Sequence, residues 1–243
     1  MTTTYMRFEL LRTFRNARFF IFSFGFPLVL YFIIAGPQKD DHDFGGTGLD
    51  APLYYMIGLA AFGAMMATIS SGARIAGERQ VGWNRQLRIT PLKAPSYLGA
   101  KVVTAYVMAT CSILLLYIAG IALGVSIPIG RWIEMTLLIL VGLVPFAALG
   151  ILIGHLMTVD SIGPVMGGTT SLLALLGGTW FPITSGFMLQ LARLLPSYWI
   201  VQASHVGAGG SAWPAQGWIV IGAWTLILSR LAAWAYRRDT MRV

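Results

Sequence analysis

Charge is what this sequence has least of. Of 243 residues only 11% are charged, 17 Lys and Arg against nine Asp and Glu, while 56% are hydrophobic. An ordinary soluble domain carries about 25% charged residues, so water is not the only solvent this chain is built for. The single cysteine, Cys111, excludes a disulfide framework or thiolate metal site within one chain and reads as a small packing residue. No G-x-x-x-x-G-K-[ST] occurs, so there is no P-loop to cradle ATP phosphates, and H-E-x-x-H, G-x-S-x-G and C-x-x-C are missing too. The acidic residues stand in loops and at the ends of apolar stretches rather than paired within one, which speaks against an intramembrane enzyme or an ion-driven pump. The chain is expected to have no catalytic site, no metal and no cofactor of its own.

What the sequence does have is long uncharged runs, at 19–38, 51–73, 102–130, 135–159, 161–192 and 194–229. A bilayer core needs about 20 apolar helical residues to cross, and each run supplies them. The spacing therefore predicts an all-α integral membrane protein with six transmembrane helices, near 19–35, 52–73, 102–124, 132–154, 162–181 and 217–236. The intervening pieces are too short to hold cores of their own, so residues 1–243 are expected to form a single transmembrane domain. The first run is longer than a signal-peptide core and reads as an uncleaved span.

The basic residues orient these spans. With the N-terminus inside, one side collects Arg7, Arg12, Arg15, Arg18, Arg74, Arg79, Arg85, Arg88, Lys93, Lys101, Arg230, Arg237, Arg238 and Arg242, which is 14 of the 17. Lys39, Arg131 and Arg193 remain outside, with Asp40, Asp41, Asp43 and Asp50 in the first outer loop. The positive-inside bias thus places both termini in the cytoplasm. The net charge of +8 is spent at span ends, where it faces lipid head groups, and not on a base-reading surface. Membrane lipid is an expected partner and nucleic acid is not.

Residues 1–18 place Met6, Leu10, Phe14 and Ala17 on one helical face and Arg12, Arg15 and Arg18 on another, which suits an interfacial helix. Residues 182–213 hold Pro182, Pro196, Gly207, Gly209 and Gly210 and read as short re-entrant helices, an outer cap before the last span. Trp180, Tyr198, Trp199, Trp213 and Trp218 fit an outer aromatic belt.

The segment 74–101 is the most informative. Trp83 and Leu87 can share the apolar edge of a short helix with Arg85 and Arg88 on its wet side, and Pro91 ends it. Such a helix below the membrane is a handle for a soluble partner; a loop that only enforces topology would carry the same charges. Span five, with Gly163, Pro164, Gly167, Gly168, Thr169, Thr170, Ser171 and Thr179, is poor in bulky residues and should be buried or line a cavity. Together with Met56, Phe62, Met65 and Met66 of span two, Thr169, Thr170, Thr179, Trp180 and Phe181 form the candidate substrate cavity, with ordinary interspan packing the alternative. The small-residue pairs Gly120/Gly124, Gly150/Gly154 and Gly163/Gly167 permit close helix contact.

Glu78-Arg79, Gly82, Leu87, Thr90-Pro91 and the trailing Lys101 resemble the E-R-x-x-G, T-P and K pattern around the coupling helix of ABC type-2 exporter permeases. Trp83-Asn84 departs from it. The likeness covers nearly the whole chain. It implies a bacterial cytoplasmic-membrane exporter subunit that works as a homo- or heterodimer. Glu78, Arg79, Gly82, Trp83, Arg85, Leu87, Thr90 and Pro91 would then form the contact to a separate ATP-binding cassette subunit, which binds the ATP and Mg. A small amphipathic substrate, drug-like or antibiotic, is the expected cargo. Lipid or polysaccharide export, and a non-transporting scaffold or sensor, remain the other readings.

Overall fold

Helix boundaries in the computed structural model follow its prolines, glycines and caps. The structure describes residues 2–83, 86, 89–90, 94–207, 209–210 and 212–241. The main helices are α1 Thr2–Phe14, α2 Ala17–Phe20, α3 Phe26–Ala35, α4 Ala51–Ala73, α5 Ile75–Gln80, α6 Ala94–Ala122, α7 Ile129–Gly142, α8 Val144–Leu156 and α9 Val159–Leu176. Three short helices follow, α10 Gly186–Ala192, α11 Pro196–Gln202 and α12 Ser204–Gly207, and then α13 Ala215–Met241. No strand occurs among the described residues.

Asp50 in extended conformation and a proline in the first turn start α4, and Thr158 with Ser161 closes a capping box at the start of α9. Gly178, at φ +79°, lets the chain leave α9 in a backbone region that side chains disfavour. Pro145 separates α8 from α7, since it offers no amide to continue the ladder. A π-helical turn, Ile21–Gly25, joins α2 to α3 and sits immediately before Pro27.

Among the described residues, five helices are long and apolar enough to cross a membrane: Ala51–Gln80, Pro95–Ala122, Ile129–Leu156, Val159–Leu176 and Ala215–Asp239. At the first sequence-predicted span the described residues give a shorter apolar helix, Ser23–Ala35, which lies in a helical stretch that runs from Ala17 through the π-turn to Ala35. The other spans fall where the charge spacing placed them, shifted by a few residues at their ends.

At the centre lies α4, which packs against α3, α6 and α8, while α13 lies on α8 and α1 lies on α6. Met56, Ile57, Leu59 and Ile69 are fully buried. Gly150 and Gly154 meet the backbone of α4 around Ile69 and Gly72, and Gly120 receives Met56. Gly163 and Gly167 of α9 meet nothing within 4 Å.

Three of the five belt aromatics point inward. Tyr198, Trp199 and Trp213 are buried in the cap, where Trp199 Nε1 donates to Arg193 O at 2.9 Å. Arg131 Nη1 donates to Val206 O at 3.1 Å and to Gly207 O at 3.3 Å, satisfying carbonyls at the end of α12. These aromatics join the main core around α4, which anchors helices too short to stand alone.

Candidate functional site

The polar centre of the molecule is built at the end of α4, where the helix passes through Arg74 into α5. Glu78 lies one turn into α5 and is 1% exposed. Its Oε1 accepts from Lys101 Nζ at 2.5 Å and from Arg12 Nη1 at 3.0 Å, and its Oε2 accepts from the Tyr97 hydroxyl at 2.6 Å. Lys101 Nζ donates also to Glu9 Oε1 at 2.6 Å and stands 5.5 Å from the centre of the Tyr97 ring. Arg74 Nη1 donates to Thr13 Oγ1 at 2.6 Å, and Ser71 Oγ to Lys101 O at 3.3 Å. One carboxylate therefore joins α1, α5 and α6.

The energetics of this cluster rest on completeness. A buried ammonium or carboxylate costs several kcal/mol of lost hydration, about what good ion-pair geometry returns, so removing one partner is far costlier than forming the set is gainful. Two carboxylates face Lys101, with Arg12 adding positive charge from its half-exposed side chain. Near the cluster, burial and then the charges of Glu9 and Glu78 push the Tyr5 hydroxyl well above its ordinary range, so it stays protonated.

Glu9 and Glu78 stand outside the uncharged runs, as expected of the acidic residues, and are nevertheless buried and share a single lysine. The face of α1 turned toward protein is a polar one. It carries Glu9 and Thr13, while Phe8, Leu11 and Phe14 point outward. The apolar face of this helix is the one free of protein, because the polar one is needed against Lys101 and Arg74.

Of the residues expected to contact an ATP-binding subunit, Glu78 and Arg79 turn inward. Arg79 meets Asp239 at 2.8 Å. Gly82 takes φ +70° directly after α5, turning the chain back, and Trp83, Thr90 and their neighbours Val81 and Ile89 are exposed. Arg85, Leu87 and Pro91 lie outside the described residues. The segment thus has an anchored root and an exposed apolar tip.

The candidate cavity residues divide. Met56, Phe62, Met65, Thr170 and Thr179 are buried and Met66 is partly so. Phe62 lies 5.6 Å from Trp180, ring centre to ring centre, and the Tyr54 hydroxyl donates to Gly178 O. These contacts join the N-terminal half of α4 to the chain at the C-terminal end of α9. Met56 instead turns to Gly120 on α6. Thr169 is half-buried, and Phe181 is exposed beside an open pocket of about 380 Å³ lined with Leu175, Pro182, Ile183, Thr184, Ser185 and Met188.

Sequence reasoning missed Glu9, Tyr97, His155 and Asp239. Tyr97 and Lys101 stand four apart on one helix, as do Glu9 and Thr13, so each pair's shared face was readable. Nothing local could have paired Glu9 with a lysine 92 positions on.

A family model described as "ABC-2 family transporter protein" matches residues 47–234. The chain is also similar to "Putative transport permease YvfS" of Bacillus subtilis (strain 168), 30% identical over 209 residues that cover 84% of this chain and 81% of that relative.

Proposed function

The chain belongs to the ABC-2 transporter family as a membrane permease subunit without an ATPase domain, and from that premise we propose that it exports a small amphipathic compound, drug-like or antibiotic. ATP hydrolysis drives this in a separate cassette subunit. Ser23–Ala35 counts as the first of six spans, its remaining length supplied across the π-turn, so both termini lie in the cytoplasm. Residues 1–18 lie in the inner interface, 74–101 face the cytoplasm and 182–213 cap the outer side. All 243 residues serve as one permease domain in a bacterial cytoplasmic membrane.

In this reading Val81, Trp83 and Ile89, with Arg85 and Leu87 nearby, dock on the cassette subunit, which carries the ATP and Mg. Closure of two such subunits moves α5, and Glu78 transmits the movement to α1 and α6. Thr169, Thr170, Thr179, Trp180 and Phe181, opposite Met56, Phe62, Met65 and Met66, border the route the substrate takes as two permeases part. The observation that carries the proposal is the rooted segment itself: a 1% exposed Glu78 joining three helices, followed within a few residues by the exposed apolar side chains of Val81 and Ile89 and the partly exposed Trp83. A loop that only set topology would need neither.

The test is affinity purification of the tagged permease from its native host in mild detergent, with identification of co-purifying proteins and an ATPase assay. An ATP-binding subunit in equal amount, lost on Trp83→Asp or Ile89→Asp, supports the proposal. A different soluble partner with no ATPase activity overturns it in favour of a scaffold.

A further inference from the structure

Two adjacent residues of opposite charge leave α5 in opposite directions. Glu78 reaches α1 and α6, whereas Arg79 reaches the far side of the bundle. There its Nε lies 2.9 Å and its Nη2 2.8 Å from Asp239 Oδ1 in α13. Its Nη1 donates to Gly154 O at 3.3 Å and Met157 O at 3.4 Å, carbonyls at the end of α8 that have no helical amide to receive. The other oxygen of Asp239 lies 3.0 Å from His155 Nδ1, and the His155 ring stands edge-on to Tyr236 at 5.4 Å.

Neither Asp239 nor His155 is well placed for stability alone. A carboxylate in the last turn of a helix faces the negative end of the helix dipole. An imidazole 4% exposed has given up its hydration. Asp239 is compensated by Arg79, whose planar guanidinium can serve a carboxylate and two carbonyls at once, and by His155, whose Nδ1 meets Asp239 while its Nε2 is buried without a hydrogen-bond partner. The Arg79 cluster and the Glu78 cluster share no residue, so α5 is held by two independent sets of bonds.

We infer that Asp239 and His155 are positioning residues for the coupling segment: through Arg79 they tie α5 to the ends of α8 and α13. This rests on the coupling role proposed above. Motion of α5 then leaves by two arms, Glu78 toward α1 and α6, and Arg79 toward α8 and α13.

The test uses the full-length permease in detergent and the permease–ATPase complex. In the permease alone, Asp239→Asn should speed hydrogen exchange of the amides in 75–83 at least tenfold while leaving 55–70 in α4 unchanged, which a general loss of folding would not do. His155→Phe keeps the ring against Tyr236 but loses Nδ1, and should act in the same direction by about threefold. Asp239→Glu, which keeps a carboxylate for Arg79 and His155, should retain most of the protection that Asp239→Asn loses. In the complex, the permease-dependent part of ATP hydrolysis should fall several-fold with Asp239→Asn and much less with Asp239→Glu. Unchanged protection of 75–83 in Asp239→Asn, or an Asp239→Glu variant no better protected than Asp239→Asn, overturns the inference. Should the exchange data behave as expected while the wild-type permease recruits no ATPase, the coupling role fails and the clamp stands.

Discussion

Two helices with similar shares of small residues have opposite surroundings. The α4–α5 stretch is 89% buried within its most apolar window, whereas α9 is 11% buried. In α4 every small residue is used: a Cβ added at Gly63 would come within 3.3 Å of Pro27, and one at Gly72 within 2.9 Å of Gly150 Cα. In α9 the same addition at Gly163, Gly167 or Gly168 meets nothing within 4 Å. Small residues state that something approaches closely; they do not state whether it belongs to the same chain. For α4 it does. For α9 the proposed counterpart is a second permease subunit or the departing substrate.

The contrast can be tested at three strengths. The largest effect belongs to Glu78→Ala, which strips Lys101 of one of its two carboxylates at the root of the buried helix. A cost of about 3–5 kcal/mol is expected, read as a fall of roughly 10 °C in melting temperature in detergent. A fall under about 2 °C would mean that Lys101 is satisfied without it. Next comes a pair. Gly150→Leu must push α8 off α4, where an added Cβ would already sit 2.9 Å from Ile69 Cα, and should cost about 1–3 kcal/mol. Gly167→Leu on the open face of α9 should change the stability of the monomer by no more than about 0.5 kcal/mol, while lowering the dimer fraction seen by cross-linking. Equal costs at the two glycines would erase the distinction between the helices. The smallest effect is Tyr54→Phe, which removes the hydroxyl that joins α4 to the turn after α9 at Gly178. About 1 kcal/mol should be lost by thermal unfolding.

Much of this architecture was readable because membrane insertion writes itself into charge spacing. The runs without Lys, Arg, Asp or Glu marked where five long helices lie, though the runs 161–192 and 194–229 extend well past Val159–Leu176 and well before Ala215–Asp239, and Glu78, Arg79 and Lys101 stood out in the segment between two of them. The π-turn at Ile21–Gly25 was less readable, since Pro27 was visible but no local pattern marks a change of helical hydrogen bonding before it. The inward turn of Tyr198, Trp199 and Trp213 was hidden for a similar reason: composition places aromatics near an interface but cannot say that short helices will turn them into the main core. Least readable were the partners of the charges. Glu9 and Asp239 look like ordinary polar residues on helices rich in arginine, and only the fold brings them to Lys101 and Arg79. Where a lone charge ends up is a tertiary property with no period to betray it.

The two charge clusters also differ in when they can close. Glu78 finds Lys101 23 residues later, and Glu9 finds it after 92. Arg79 must wait 160 residues for Asp239. A chain emerging from the ribosome can therefore complete the first set once α6 has been made, and carries a guanidinium without its carboxylate until α13 is in place. Once α8 is made its last carbonyls can receive Arg79, but the charge pair that completes this side of α5 closes only with α13, as one of the last events of the chain's own synthesis.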